Sequence, residues 1–153
     1  MNIKIENSET ANVEGVSFRY IAKEEGFRDE MFSWFPADES IALKSTDVNI
    51  GKLTVETGEV AFKKVEYHDD TEIFCYHNKP VYICFCRLEK GIIKEETIKI
   101  VYVPENTIVT IAENIGHCVP ISAVDEVAEA IVISGKSCNT NFQDFSTKII
   151  GKF

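Results

Sequence analysis

The stretch "EYHDDTEIF", Glu66 to Phe74, places two carboxylates and one of the chain's three histidines within a few positions of one another. Glu66 and His68 stand at i and i+2, a spacing that puts both side chains on one face of a strand. Glu72 follows across "DDT", a composition that favours turns. A strand, a turn and a returning strand would gather Glu66, His68 and Glu72 around one point. Later in the chain, "NIGHCVP" offers His117 directly after Gly116. If the two segments are neighbouring hairpins of one barrel, His117 joins the first three.

Two imidazoles and two carboxylates suit a borderline-to-hard divalent ion such as Mn²⁺, Fe²⁺, Ni²⁺ or Zn²⁺, with Glu66, His68, Glu72 and His117 as ligands. Without a metal, His68, Glu72 and His117 can act as general acid and base. A barrel interior is expected to raise the carboxylate pKa values by desolvation, and histidine titrates near neutrality. The competing reading is a solvated polar rim at strand ends, although buried charge is costly unless it is used or paired. His77, in "YHNKP", reads as a hairpin-turn residue.

The elements that must position these groups are short strands. From residue 48 onward the runs are "VNIGKLTVE", "EVAFKKVEYH", "VYICFCRL", "TIKIVYV", "IVTIA", "HCVPISAV" and "EAIVIS", rich in Val, Ile, Tyr and Phe. Gly, Asn, Asp and Pro separate them. In "EVAFKKVEYH", Phe62, Lys64, Glu66 and His68 fall on one face and Ala61, Lys63, Val65 and Tyr67 on the other. "VYICFCRL" is almost continuously apolar and reads as a strand buried on both faces. Such a series predicts an all-β sandwich or barrel. Residues 48–135 form the expected barrel core, 1–47 a less regular segment covering it, and 136–153 a C-terminal extension. That extension is either a terminal strand or one that pairs with a second chain. Within the first segment, "YIAKEEGFRDEMFSWF" suggests a loop or short helix laid over the barrel. "MFSWFPADES", with the only Trp, reads as a hydrophobic plug, a lid or a dimer contact.

Length and composition exclude several classes. The 153 residues suit one domain with a real hydrophobic core. Hydrophobic residues make up 44% and charged ones 27%, an ordinary globular balance. The net charge of −9 comes without a basic cluster, so no nucleic-acid footprint is present. No run approaches the roughly 18 apolar residues of a membrane span, and no signal-peptide pattern opens the chain, so a cytoplasmic protein is expected. Five cysteines, an odd number without a CxxC pair, read as reduced thiols buried in strands. Cys84 and Cys86 share a strand face, where two thiolates are an incomplete zinc set and burial is the plainer reading.

The spacing E-x-H-x3-E running into "IFCY" resembles the first cupin motif, with Glu66 where its first His stands, His68 at the second His and Glu72 at the Glu. "ENIGHCV", with His117, resembles the second motif. The glycine-rich turn that usually closes the first motif is replaced by "HNKP". The resemblance implies a cupin-type double-stranded β-helix and, by analogy, a homodimer. A narrower likeness over roughly residues 50–135 is to the ureidoglycolate lyase family, which implies C–N cleavage releasing glyoxylate and urea. Glu72 stands at that family's Gln, Ile111 at its Tyr, Glu113 at its basic residue and Cys118 at its second His. The lost cationic group points towards another substrate, such as a sugar or polyol. A cupin sugar isomerase, and a non-catalytic cupin holding a small ligand, are the alternatives to the lyase.

Overall fold

Runs of β-branched and aromatic residues fold as strands throughout the chain, and turn residues separate them. The computed structural model describes residues 1–21, 27–28, 30–31, 33–34, 41–76, 78–136 and 138–153. The strands are β1 (Asn2–Asn7), β2 (Val16–Tyr20), β3 (Phe27–Arg28), β4 (Ser33–Trp34), β5 (Val48–Val55), β6 (Ala61–His68) and β7 (Glu72–Tyr76). They continue as β8 (Val81–Glu89), β9 (Ile92–Val103), β10 (Thr107–Ile111), β11 (Ile115–His117), β12 (Ile121–Ser122), β13 (Ala128–Gly135) and β14 (Thr140–Lys152). The expected core strands are present, except that "HCVPISAV" is split between the end of β11 and the two-residue β12, with residues 118–120 in neither. Asn106 and Asn114, in the "PENT" and "ENIG" turns, take left-handed φ of 58° and 59°, a conformation asparagine tolerates well.

Two sheets make up the fold. One has the order β2-β10-β7-β13-β5. The other runs β11-β6-β14-β1-β9-β8-β12, and β11 also pairs with β8, so its ladder closes on itself. This is the all-β architecture that the run of short strands predicts, two large sheets packed on one another. Strand β8 faces an interior on each side, as its apolar run predicts. Val81, Ile83 and Phe85 join a core between the sheets with Phe74, Tyr76, Val109 and Ile111. Tyr82, Cys84 and Cys86 join a second core with Val65, Ile100, Cys118 and Ile149. Each fully buried Phe or Ile contributes about 1.5–3 kcal/mol over an exposed one.

The N-terminal segment supplies strands to both sheets. β1 is inserted parallel between β9 and β14, and β2 pairs antiparallel with β10. The stretch expected as a loop or short helix contains a two-stranded ribbon, β3 with β4, and its other residues lie mostly outside those described. Trp34 is 64% exposed, so it is not a plug. Phe32, Phe35 and the turn residue His77 lie outside the described residues. The C-terminal stretch is a terminal strand of this same chain, with β14 lying between β1 and β6. The simple alternation expected in β6 breaks down: Phe62 and Val65 enter the same core. The partner strand β14 shifts register between Asp144 and Ile149, and such an irregularity re-aims side chains. Among the described residues, no helix is long and apolar enough to cross a membrane.

Candidate functional site

The "DDT" turn is a clamp that fixes the ends of four segments. Asp70 is buried and accepts hydrogen bonds from the backbone N–H groups of Lys44 (2.9 Å), Ser45 (3.0 Å) and Thr71 (2.8 Å). Burial alone would raise its pKa, but the three donors outweigh that and lower it. Asp69 accepts from the backbone N–H of Asn139 at 2.9 Å and from its side-chain amide at 2.6 Å. These bonds hold the end of β6, the start of β7 and the approach to β14 in one place. On the other side, the N–H of Asn114 donates to the carbonyl of His68 at 2.7 Å, docking the "ENIG" turn that leads into β11.

Strand β11 then slots between β6 and β8. His117 lies opposite Glu66 on one side and Phe85 on the other. Gly116 makes this fit possible. A Cβ there would meet Cys86 Sγ at 2.7 Å, Leu88 Cδ1 at 2.8 Å and Val65 Cγ2 at 2.8 Å. The glycine before the histidine is thus required by the close approach of β11 to its neighbours.

All four sequence-predicted residues converge. Glu72 Oε2 lies 2.9 Å from His117 Nε2 and 3.2 Å from His68 Nε2. Glu66 Oε1 lies 3.6 Å from His117 Nε2. The two imidazole rings are 5.2 Å apart, centre to centre. His68, Glu72 and His117 are buried, and Glu66 keeps 21% of its side chain exposed. Despite the short distances, His68 Nε2, His117 Nε2 and Glu72 Oε2 make no hydrogen bond of directed geometry among the described residues. They are three buried polar atoms aimed at one spot.

The other ring nitrogens help to say what form the imidazoles take. His117 Nδ1 is 3.4 Å from the carbonyl oxygen of Ile115, which can only accept, so this hydrogen bond forms in the tautomer that carries the proton on Nδ1. In that tautomer of neutral His117 the lone pair sits on Nε2, facing a carboxylate oxygen. Two electron pairs at that distance repel unless a proton or a metal ion lies between them. His68 Nδ1 is 3.2 Å from Thr140 Oγ1. Burial pushes the His68 pKa down, but Glu72 and Glu66 more than compensate and raise it. Glu72 departs from the expected rise: burial opposes its ionisation, yet His117 and His68 bring its pKa down to about 2. The ionised carboxylate between two imidazoles overrides desolvation.

The residue types and distances fit a divalent ion. Ligand atoms of Glu66, His68 and His117 all lie within 4.8 Å of one another, a two-histidine, one-carboxylate set. Cys84 and Cys86 are not part of it. They sit in the second core, and burial followed by the influence of Cys84 pushes the Cys86 thiol up to about 12.

Sequence reasoning did not single out Thr140, Phe74 or Tyr76. Phe74 packs edge-on against His117 with ring centres 5.7 Å apart, and Tyr76 stacks on Phe74 at 5.9 Å. Glu72, Phe74 and Tyr76 alternate along β7, so period-two spacing was a usable signal for them. Thr140 carried no such local signal, because the register of β14 on β6 places it opposite His68.

No family model matches the chain, and no curated protein matches it, so the likeness to ureidoglycolate lyase is not supported by either comparison. Several solved structures are similar in outline, two sugar isomerases among them. One is QdtA, a sugar 3,4-ketoisomerase from Thermoanaerobacterium thermosaccharolyticum in complex with TDP. It is 11% identical, with a TM-score of 0.49 over 80% of this chain and 82% of that one. The other is a dTDP sugar isomerase from Desulfovibrio desulfuricans G20, 12% identical, with a TM-score of 0.49 over 87% of this chain and 85% of that one.

Proposed function

We propose that this site transfers protons on a small hydroxy-carbonyl compound, as a sugar isomerase of the cupin type. The observation that carries the reading is the convergence of His68 Nε2, His117 Nε2 and Glu72 Oε2, buried and without directed hydrogen bonds to one another. Isomerisation of a hydroxy-ketone needs one base to remove a proton beside the carbonyl and one acid to return it at the neighbouring carbon. Two imidazoles side by side can divide that work. Glu72, ionised throughout, balances the charge on whichever imidazole holds the proton. It lies 3.2 Å from His68 Nε2 and 2.9 Å from His117 Nε2, in reach of a proton on either ring. Thr140 and the Ile115 carbonyl orient the rings from behind.

Glu66, His68 and His117 would hold a divalent ion, which when bound would polarise the substrate carbonyl. Metal uptake by the protein, and its loss in His68→Ala and His117→Ala, tests that part separately.

The charge of the site bears on substrate class. Among the described residues, the groups in ionic contact with Glu66 and Glu72 are imidazoles. Two carboxylates without a lysine or arginine disfavour a carboxylate at the reacting end and favour a neutral, hydroxylated one. This is why the isomerase reading is preferred to cleavage of ureidoglycolate, whose own carboxylate would need a cation.

Solvent exchange tests the proposal. In D₂O, the wild type should introduce deuterium beside the carbonyl of its substrate, found by screening hydroxy-ketone and keto-sugar compounds by NMR. His68→Ala and His117→Ala should each lower the exchange rate by about 10²-fold or more. Ligand binding without exchange would overturn the enzymatic reading, and glyoxylate release from ureidoglycolate would restore the lyase.

A further inference from the structure

One seam of the larger sheet stays open. Strand β6 meets β11 only where Glu66 lies opposite His117. The two borders come together again where Thr57 bridges Ser122, whose N–H donates to the carbonyl of Glu56 at 3.0 Å. Between these contacts, among the described residues, no ladder joins 61–65 to 118–121. Strand β14 pairs with β6 on its other side, so the β6 edge facing the gap carries main-chain N–H and C=O groups with no strand opposite. Pro120 stands across the gap and has no N–H to give a ladder. The gap is a groove of about 500 Å³, lined from both borders.

The groove lies over the core that holds the thiols. Phe62, Cys118 and Ile121 line it and belong to that core. Phe142 and Val119 stand at its rim, 61% and 60% exposed. Apolar side chains left open together over a cleft of this size match a small-molecule site. Three lysines, Lys63, Lys64 and Lys148, face two glutamates, Glu59 and Glu66, which leaves one surplus positive charge here on a chain of −9. Lys148 is paired with Glu59 at 2.7 Å, and Glu66 lies 3.6 Å from His117. Lys63 and Lys64 are exposed and make no ion pair among the described residues, and Lys64 Nζ lies 5.6 Å from the centre of the Phe142 ring.

We infer that this groove is a second ligand site, and that its ligand is a compact apolar molecule ending in one carboxylate. The inference does not depend on the chemistry proposed for His68, Glu72 and His117. The contacts that close both ends rule out an added peptide strand, which would have to run on past Glu66 and Ser122. One surplus positive charge matches a monoanion and not a dianion. Lys63 and Lys64 meet the carboxylate, and the open β6 edge adds main-chain donors. The Phe142 face and the floor of Phe62 and Ile121 take the apolar body out of water.

4-Phenylbutyrate, added to the ¹⁵N-labelled full chain and followed by amide NMR, tests the site. It should shift the resonances of Phe62, Cys118, Val119 and Phe142 in a saturable manner. Neutral 4-phenylbutanol should bind about tenfold more weakly, a difference that two exposed cations can supply. The double variant Lys63→Gln/Lys64→Gln should erase that preference, so that acid and alcohol bind alike. Phe142→Ala should weaken both. Dianionic 3-phenylpropylphosphonate should bind no more tightly than 4-phenylbutyrate. All three substituted positions are exposed, and unchanged amide spectra away from the groove would confirm that the variants fold. Absence of groove shifts, shifts centred on Glu72 and Phe74 instead, or a preference for the acid that survives in the lysine variant would overturn the inference. Tighter binding of the phosphonate would overturn the single carboxylate. Shifts of the groove residues with protein concentration alone would put a second copy of the chain there in place of a small ligand.

Discussion

Strand β8 divides two interiors that treat polar atoms in opposite ways. Between the sheets, an apolar core is interrupted by His117, Glu72 and the hydroxyls of Tyr76 and Thr107, all buried, and both hydroxyls lack hydrogen-bond partners among the described residues. On the other side of β8, the interior holds aliphatic and aromatic side chains and the thiols of Cys84, Cys86 and Cys118. Burial drives the Cys118 pKa well above its usual range, with Cys84 and Cys86 adding to it, so this thiol stays protonated. Strand β11 serves both interiors in three residues: Gly116 faces the thiol side and His117 the polar side. The comparison teaches that the two interiors divide the work: one buries polar groups at a cost, and the other, packed with aliphatic side chains, aromatic rings and protonated thiols, adds stability that offsets it.

The largest expected effect falls on the polar interior and appears on acidification. The Glu72 pKa is about 2 in the folded protein against an ordinary 4.5. A depressed carboxyl adds stability that is complete above about 4.5 and is lost as the pH falls towards 2. The difference amounts to roughly 3 kcal/mol, at 1.36 kcal/mol per pKa unit. Urea unfolding of metal-stripped protein between pH 6 and 2, in roughly unit steps, should therefore show a steep acid limb. Glu72→Gln should flatten it. An equally steep limb in that variant would mean that other carboxylates, such as Asp70, set the acid stability, and the contrast between the interiors would lose its main support.

How far these regions could be read from sequence follows from how local their signals are. The strands between 48 and 135 declared themselves because β-branched and aromatic runs are local. Glu66, His68 and Glu72 were legible for the same reason, since strand periodicity and one turn define their relative positions. His117 is distant in sequence and joined them only on the condition that two hairpins of one barrel are neighbours. The role of Asp69 and Asp70 as clamps was not legible, because their partners Lys44, Ser45 and Asn139 come from remote segments. The place of β1 was hidden too. "NIKIEN" alternates as a strand does, but parallel pairing between β9 and β14 joins residues from opposite ends of the chain. Glu72's lowered pKa was missed because burial was weighed without the two imidazoles that surround it.

A smaller effect tests the apolar side. Gly116→Ala should cost about 1–3 kcal/mol, the usual range for overpacking a tight core, read as a lower urea midpoint at unchanged slope. A neutral result would mean that β11 can move away from β8 and that the seat of His117 is loose. Because His117 follows directly, the same variant should also slow deuterium exchange, linking the two interiors through one residue.

The smallest effect is a coupling and sharpens the same point. A Cβ at position 116 would meet Cys86 Sγ at 2.7 Å, but also Leu88 and Val65 at 2.8 Å each. Cys86→Ala removes only the first of these obstacles, at its own cost of about 1 kcal/mol for a lost buried group. The double variant should then be less destabilised than the two single changes added together, by roughly 0.5–1 kcal/mol, the scale of coupling between residues in contact. Strict additivity would show that Leu88 and Val65 alone confine β11, leaving the thiol with no part in seating His117. A coupling of the expected sign would mean that Cys86, buried in the other interior, helps to set where an imidazole of the polar interior stands.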